Sequence, residues 1–92
     1  MFGMHPPLRF MVARLLAEGR AGRVDELMRS LEPLYGGEKQ FTRRNLEEHL
    51  QALKAVGIVE IAETSRDSAG DLAYSYRISE TGRKLMARLA RT

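Results

Sequence analysis

The sequence predicts an α+β fold that is mostly helical, with a β-hairpin between the third and fourth helices. Apolar residues recur at helical spacing in four segments. Between the last two segments, two short runs alternate apolar and polar residues, as half-buried strands do. The chain has 92 residues, of which 43% are hydrophobic and 29% charged. This length and balance favour one globular domain, residues 1–92, over a disordered chain.

The first predicted helix covers residues 7–18. Pro6 and Pro7 fix the backbone φ angle that begins a helix, at a position where a missing N–H costs nothing. Gly19 follows the last helical residue. The residues of the predicted buried stripe are Leu8, Met11, Val12 and Leu15.

The second predicted helix covers residues 25–34, with Asp25 as its N-cap and Val24 in a very short preceding strand. The residues of its buried face are Leu27, Met28 and Leu31, with Tyr35 as a further candidate. Pro33 lacks a backbone N–H and disfavours helical geometry at the residue before it. We therefore expect this helix to end or kink at Pro33, ahead of a loop that runs to Phe41.

The third predicted helix, residues 42–56, has the strongest local signals in the chain. Thr42 is a good N-cap, and Phe41 and Leu46 have the spacing of a hydrophobic staple. The residues of the inward stripe are Leu46, Leu50 and Leu53. Gly57 can adopt the left-handed conformation that ends a helix, and an apolar alternating run begins directly after it.

A hairpin over residues 58–78 and a last helix over residues 80–91 complete the prediction. The first strand carries Val59 and Ile61, and a polar turn follows. The alternating residues of the returning strand are Leu72, Tyr74, Tyr76 and Ile78. Ser79 is the predicted N-cap of the last helix. Its predicted inner stripe comprises Gly82, Leu85, Met86 and Leu89.

Composition narrows the possible partners and compartments. The net charge is +3 and the sequence pI is about 9.7, which favours an anionic partner without demanding one. There is no cysteine, so disulfides and thiolate metal sites are excluded and a reducing cytoplasm is the expected location. No apolar run approaches the about 20 residues of a membrane-spanning helix. The N-terminus also lacks the pattern of a signal peptide.

The predicted order of elements resembles the winged helix-turn-helix, with a three-helix core, a hairpin wing and a C-terminal helix. Residues 49–60, HLQALKAVGIVE, are similar to the end of the recognition helix in MarR-, ArsR- and PadR-like regulators, where HLxxLxxxGLV runs into the wing. Residues 76–83, YRISETGR, resemble their strand-to-helix exit Y-x-L-T-x-x-G-x. The resemblance implies a transcriptional regulator that binds double-stranded DNA.

The first turn of the third helix is the predicted DNA-contacting part. With the leucine stripe turned inward, Arg44, Glu48 and Gln51 lie outermost on this helix. Arginine can pair with guanine, asparagine with adenine, and a threonine hydroxyl can contact a phosphate. In the wing, Arg66 can contact a phosphate or the minor groove. The residues predicted to bind DNA are Thr42, Arg43, Arg44, Asn45, Glu48, Gln51 and Arg66.

The same helix also supports a second interpretation. Glu47 and Glu48 follow the arginines by one turn, and Arg43–Glu47 and Arg44–Glu48 pairs would form an ordinary solvated face. Asp67 and Asp71 make the wing loop net negative despite Arg66. The alternative function is therefore a protein-interaction or dimerisation module that does not bind DNA.

We also predict a homodimer, because one recognition helix gives little affinity and two half-sites supply the rest. The predicted interface residues are Phe2, Met4, Phe10 and Leu89. Phe10 can equally be a partly buried aromatic residue at the edge of the core. No catalytic cluster, phosphate loop or metal-ligand spacing is present, so we predict no enzyme activity, cofactor or metal. The operator and any small-molecule effector stay open.

Overall fold

A computed structural model describes residues 6–19 and 22–90. The helices and strands in these residues are α1 (Leu8–Ala17), α2 (Val24–Tyr35), α3 (Arg43–Ala55), β1 (Val59–Arg66), β2 (Leu72–Ile78) and α4 (Glu80–Leu89). The predicted α+β class and the antiparallel hairpin between the third and fourth helices are confirmed. No helix within these residues is long and apolar enough to cross a membrane.

One apolar core joins α1, α2, α3 and the hairpin. Its most completely buried large side chains are Val12, Leu27, Leu31, Leu46, Leu50 and Val59. The inward stripe predicted for the third helix is confirmed, since Leu46, Leu50 and Leu53 are all buried. Because these leucines face the core, the opposite side of α3 is open to solvent.

The start of α2 differs from the prediction. Arg23, and not Asp25, is the N-cap, while Asp25 lies in the first turn of the helix. The Glu26 carboxylate accepts hydrogen bonds from the backbone N–H of Gly22 at 3.1 Å and of Arg23 at 2.9 Å. Because Glu26 satisfies these N–H groups, the Asp25 carboxylate is available to pair with a residue of α3.

The end of α2 also differs, because the helix continues through Pro33 to Tyr35. Pro33 lies in the last turn, where the N–H it lacks removes a single helical hydrogen bond. Tyr35 is buried, stacks on Phe41 with ring centroids 6.3 Å apart, and donates its hydroxyl to the Pro6 carbonyl. These contacts of Tyr35 outweigh the local cost of the proline. The predicted end of the helix at Pro33 is therefore wrong.

The hairpin has a third, minimal strand beside it. Arg23 forms an isolated antiparallel bridge with Ser75, and the Tyr76 N–H donates to the Gly22 carbonyl at 2.7 Å. The predicted short strand is therefore one residue earlier than Val24, which begins α2. Within the hairpin, a β-bulge between Ile61 and Glu63 shifts the register toward its tip.

The junctions at both ends of α3 follow the predicted local chemistry. The Thr42 side chain accepts the Asn45 N–H at 3.1 Å. At the other end Gly57 has φ +82°, and the Ile58 N–H donates to the Leu53 carbonyl at 2.9 Å. This is the Schellman bond of a helix ended by glycine. It fixes where α3 stops and β1 begins.

The start of α4 is held against the end of α3. Ser79 is the N-cap, as predicted, and its hydroxyl accepts the Gly82 N–H at 2.9 Å. The Ser79 N–H donates to the Ile58 carbonyl, also at 2.9 Å. Of the predicted inner stripe, Gly82 is buried and Leu85 and Met86 are half-buried, but Leu89 is 42% exposed. The stripe therefore leaves the core toward the C-terminal end of α4.

Candidate nucleic-acid interface

A groove of about 590 Å³ runs between the outer face of α3 and the hairpin. Its charged lining among the described residues consists of three arginines and four carboxylates, namely Arg23, Arg43, Arg44, Asp25, Glu47, Glu48 and Asp67. The predicted outer residues of α3 therefore lie together in one place. The charges in this groove are mixed, and their pairing decides which of them can reach a ligand.

Thr42 and Asn45 are occupied in holding the start of α3. The Thr42 hydroxyl caps the helix by accepting the Asn45 N–H. The Asn45 side-chain amide donates to the Gln40 carbonyl at 2.8 Å. Reading adenine requires both the oxygen and the nitrogen of an asparagine amide. Because this bond to the preceding loop takes up one of the two amide N–H donors and fixes the orientation of the amide, Asn45 serves a structural role in this conformation.

Arg43 connects α3 to the start of α2. Its guanidinium donates to the Asp25 carboxylate and lies 3.5 Å from the Glu47 carboxylate. The hydrogen bond from Arg43 lowers the pKa of Asp25 and raises the pKa of Arg43 itself. The sequence does not reveal Asp25 as a partner of Arg43, because the two residues are 18 positions apart. The sequence instead predicts Asp25 as the N-cap of α2.

Arg44 and Glu48 are the most open charged pair on the outer face. The Arg44 side chain is 89% exposed and the Glu48 side chain 66%. Their closest nitrogen and oxygen atoms are 3.7 Å apart. An exposed pair of this kind contributes about 0.2–1 kcal/mol at most, so either side chain can leave it for another partner.

Gln51 lines the groove at the point where α3 faces the hairpin. Its amide nitrogen is 3.4 Å from the hydroxyl of Tyr76, a buried residue of β2. Burial raises the pKa of Tyr76, so the hydroxyl stays protonated at neutral pH. Gln51 and Tyr76 therefore join α3 to the hairpin at the floor of the groove.

Arg66 is turned into its own loop. Its guanidinium donates to the Gly70 carbonyl at 2.7 Å. The Asp67 carboxylate accepts the N–H groups of Ala69 and Asp71, each at 2.9 Å. These bonds give the tip of the hairpin a defined turn. They also explain why Arg66 and Asp67 occur together, since each satisfies backbone groups of the same turn.

Two apolar side chains on β2 also lie in the groove. Leu72 is 55% exposed, and Tyr74 is exposed beside Tyr76 with ring centroids 6.5 Å apart. The alternating pattern assigned both Leu72 and Tyr74 to the buried side of the strand. They are exposed because the outer half of the hairpin extends past the core, which the pattern alone does not reveal.

The residues predicted for a dimer interface are partly brought together. Phe10 and Leu89 both line a second groove of about 590 Å³, between α1 and α4, with Met86 at its side. Phe10 is half-buried, as expected for the edge of a core. Phe2 and Met4 lie outside the described residues.

His49 joins α3 to α1 on the flank away from the groove. The Arg9 guanidinium donates to its Nδ1 at 3.0 Å, which requires an unprotonated Nδ1. Burial lowers the pKa of His49, and the positive charge of Arg9 lowers it further, while Glu48 acts in the opposite direction. In residues 6–19 and 22–90, no group of three potential His, Cys, Asp or Glu ligands could hold a metal ion.

The protein is expected to lose stability on mild acidification because of His49. Its folded pKa is below the ordinary value of 6.5, so the folded state binds fewer protons than the unfolded state. The stabilisation is complete above pH 6.5 and is lost as the pH falls through the lowered value. Urea unfolding between pH 8 and 5 measures this loss, and His49→Gln should flatten the profile. An unchanged profile in that variant would contradict the assignment.

The sequence was compared with known protein families and with curated proteins. No family model matches the sequence, and no curated protein matches it at a significant level.

Proposed function

We propose that the chain is a winged helix-turn-helix protein that binds double-stranded DNA as a small cytoplasmic transcriptional regulator. The first turn of α3 enters the major groove, and the hairpin is the wing beside the DNA backbone. The order of helices and strands supports this fold. So does the bridge from Arg23 to Ser75, which adds a minimal third strand to the hairpin directly before α2.

The observation that carries the proposal is the exposed first turn of α3. Arg43 and Arg44 stand at its start with no acid among them, where the helix dipole disfavours cations by about 0.3–1 kcal/mol each. The Asp25 carboxylate offsets that cost at Arg43, and a nearby phosphate backbone would offset it at Arg44. Arg44 is the side chain best placed for this, because it is open to solvent.

A homodimer is part of the proposal. Two copies would present two α3 helices to half-sites about one helical turn of DNA apart. The groove between α1 and α4, with Phe10 and Leu89, is the proposed contact surface, together with Phe2 and Met4. Sedimentation equilibrium of the purified chain tests this assembly separately from DNA binding.

Binding to duplex DNA is expected to weaken steeply with salt. Each phosphate neutralised contributes a slope of about −0.9 in log K against log salt, so four contacts predict about a 100-fold loss from 50 to 200 mM. Fluorescence anisotropy with a mixed-sequence duplex measures it. Arg44→Glu should weaken binding far more than Lys54→Glu, which changes the net charge equally at the other end of α3. Absence of binding at 50 mM salt would refute the proposal.

A protein-interaction module is the second candidate, and a specific observation favours it. Among the described residues, the groove is lined by four carboxylates and three arginines, and Leu72 and Tyr74 are exposed along it. Such a surface suits a protein partner with both apolar and basic groups. This candidate predicts no affinity for duplex DNA at any salt concentration, so the same anisotropy measurement separates the two.

A further inference from the structure

Most of the side chains on α3 that could read bases are already engaged within the protein. Thr42 caps the helix and Asn45 donates to the Gln40 carbonyl. Arg43 is bound by Asp25 and Glu47, and Gln51 lies against the Tyr76 hydroxyl. Within residues 6–19 and 22–90, Arg44 and Glu48 remain, paired with each other across 3.7 Å at the solvent surface. The groups free to select a base are therefore one guanidinium and one carboxylate.

From this we infer that α3 selects G·C base pairs, with Arg44 on guanine and Glu48 on cytosine; the inference rests on the proposed DNA binding. A guanidinium donates to the guanine O6 and N7 acceptors, and a carboxylate accepts from the cytosine N4 amino group. Residues four apart on a helix are about 6 Å apart along its axis, close to two base-pair steps of about 3.4 Å. The guanine and the cytosine are thus expected in base pairs about two steps apart.

The carboxylate of Glu48 also acts against other bases. Thymine O4 and guanine O6 and N7 are acceptors, and a carboxylate placed against them is repelled. Adenine offers an amino group, but its N7 acceptor lies beside that group. Cytosine itself presents only its amino donor in the major groove, although the O6 acceptor of the paired guanine lies next to it. The residue that could have read adenine, Asn45, has its amide N–H bound to the Gln40 carbonyl.

Selection of bound duplexes from a random-sequence pool tests the inference. The wild-type chain should enrich a guanine and a cytosine at one fixed spacing of about two base-pair steps. Arg44→Ala should lose about 5- to 150-fold of the preference for guanine there, equivalent to 1–3 kcal/mol. Glu48→Gln should exchange the preference for cytosine for one for adenine, since glutamine pairs with adenine. Arg88→Ala, on exposed α4 surface, is the control and should leave the base preference unchanged.

The outcomes separate the inference from the proposed function. Bound duplexes with an A·T core, or with no preferred base, would overturn G·C selection while leaving DNA binding intact. An unchanged preference in both Arg44→Ala and Glu48→Gln would do the same. Recovery of no duplex at 50 mM salt would refute DNA binding itself. Thermal unfolding of each variant confirms that it is folded, as expected for exposed positions.

Discussion

Replacing Gly82 by alanine is expected to destabilise the protein by about 1–3 kcal/mol, the range of overpacking in a close-packed site. A Cβ atom at this position would overlap the Ile58 carbonyl oxygen and come within 2.9 Å of Ile78 Cδ1. The Ile58 carbonyl cannot move freely, because it also accepts the N–H and hydroxyl of Ser79. The clash exceeds the gain of about 1 kcal/mol that alanine brings to a helix.

Urea or thermal unfolding measures this loss, with Gly37→Ala as the matched control. A Cβ atom on Gly37 meets nothing within 4 Å and its φ is not in the left-handed range, so alanine there should be neutral or slightly stabilising. At about 4–8 °C per kcal/mol for a domain of this size, the two variants should differ clearly in Tm. Equal Tm values would show that α4 does not pack closely on Ile58.

The caps and stops of the helices are the features that the sequence predicts well. The cap at Ser79, the cap at Thr42 and the stop at Gly57 are determined by residues within a few positions of each other. Such local signals place the start of α4 and both ends of α3 correctly. They also establish which face of α3 is buried, because the inward leucines lie on one stripe.

The course of α2 shows where local signals fail. Pro33 predicts that the helix ends or kinks there, and the predicted helix stops at residue 34, yet α2 contains Pro33 and ends at Tyr35. The deciding contacts come from Tyr35, which stacks on Phe41 and reaches the Pro6 carbonyl 29 residues away. A contact at that separation follows from how the elements pack. Sequence pattern at Pro33 contains no information about it.

In the candidate site, helical spacing likewise predicts some features, and long-range packing determines the others. Helical spacing correctly gathers Arg44, Glu48 and Gln51 on one side of α3. It does not show that Gln51 meets Tyr76, 25 residues later, or that Arg43 meets Asp25, 18 residues earlier. These long-range partners decide which side chains are free. That Arg44 and Glu48 are the available pair on α3 is therefore visible only in the folded chain.

Leu50→Ala is expected to cost about 2–5 kcal/mol of unfolding free energy, the range found for truncating a buried leucine. Leu50 is 0% exposed and lies in the middle of the inward stripe of α3. Removing it leaves a cavity that the surrounding side chains fill only in part. Since small domains have only about 5–15 kcal/mol of stability, much of the chain could unfold at 37 °C.

Leu34→Ala is the matched control, because Leu34 is 44% exposed on α2 and the same atoms are removed. It should change the unfolding free energy by no more than about 0.5 kcal/mol. The comparison also bears on the proposed DNA recognition, since Arg44 and Glu48 face outward only if Leu50 faces the core. A small cost for Leu50→Ala would mean that α3 is rotated. The assignment of its base-reading face would then be wrong.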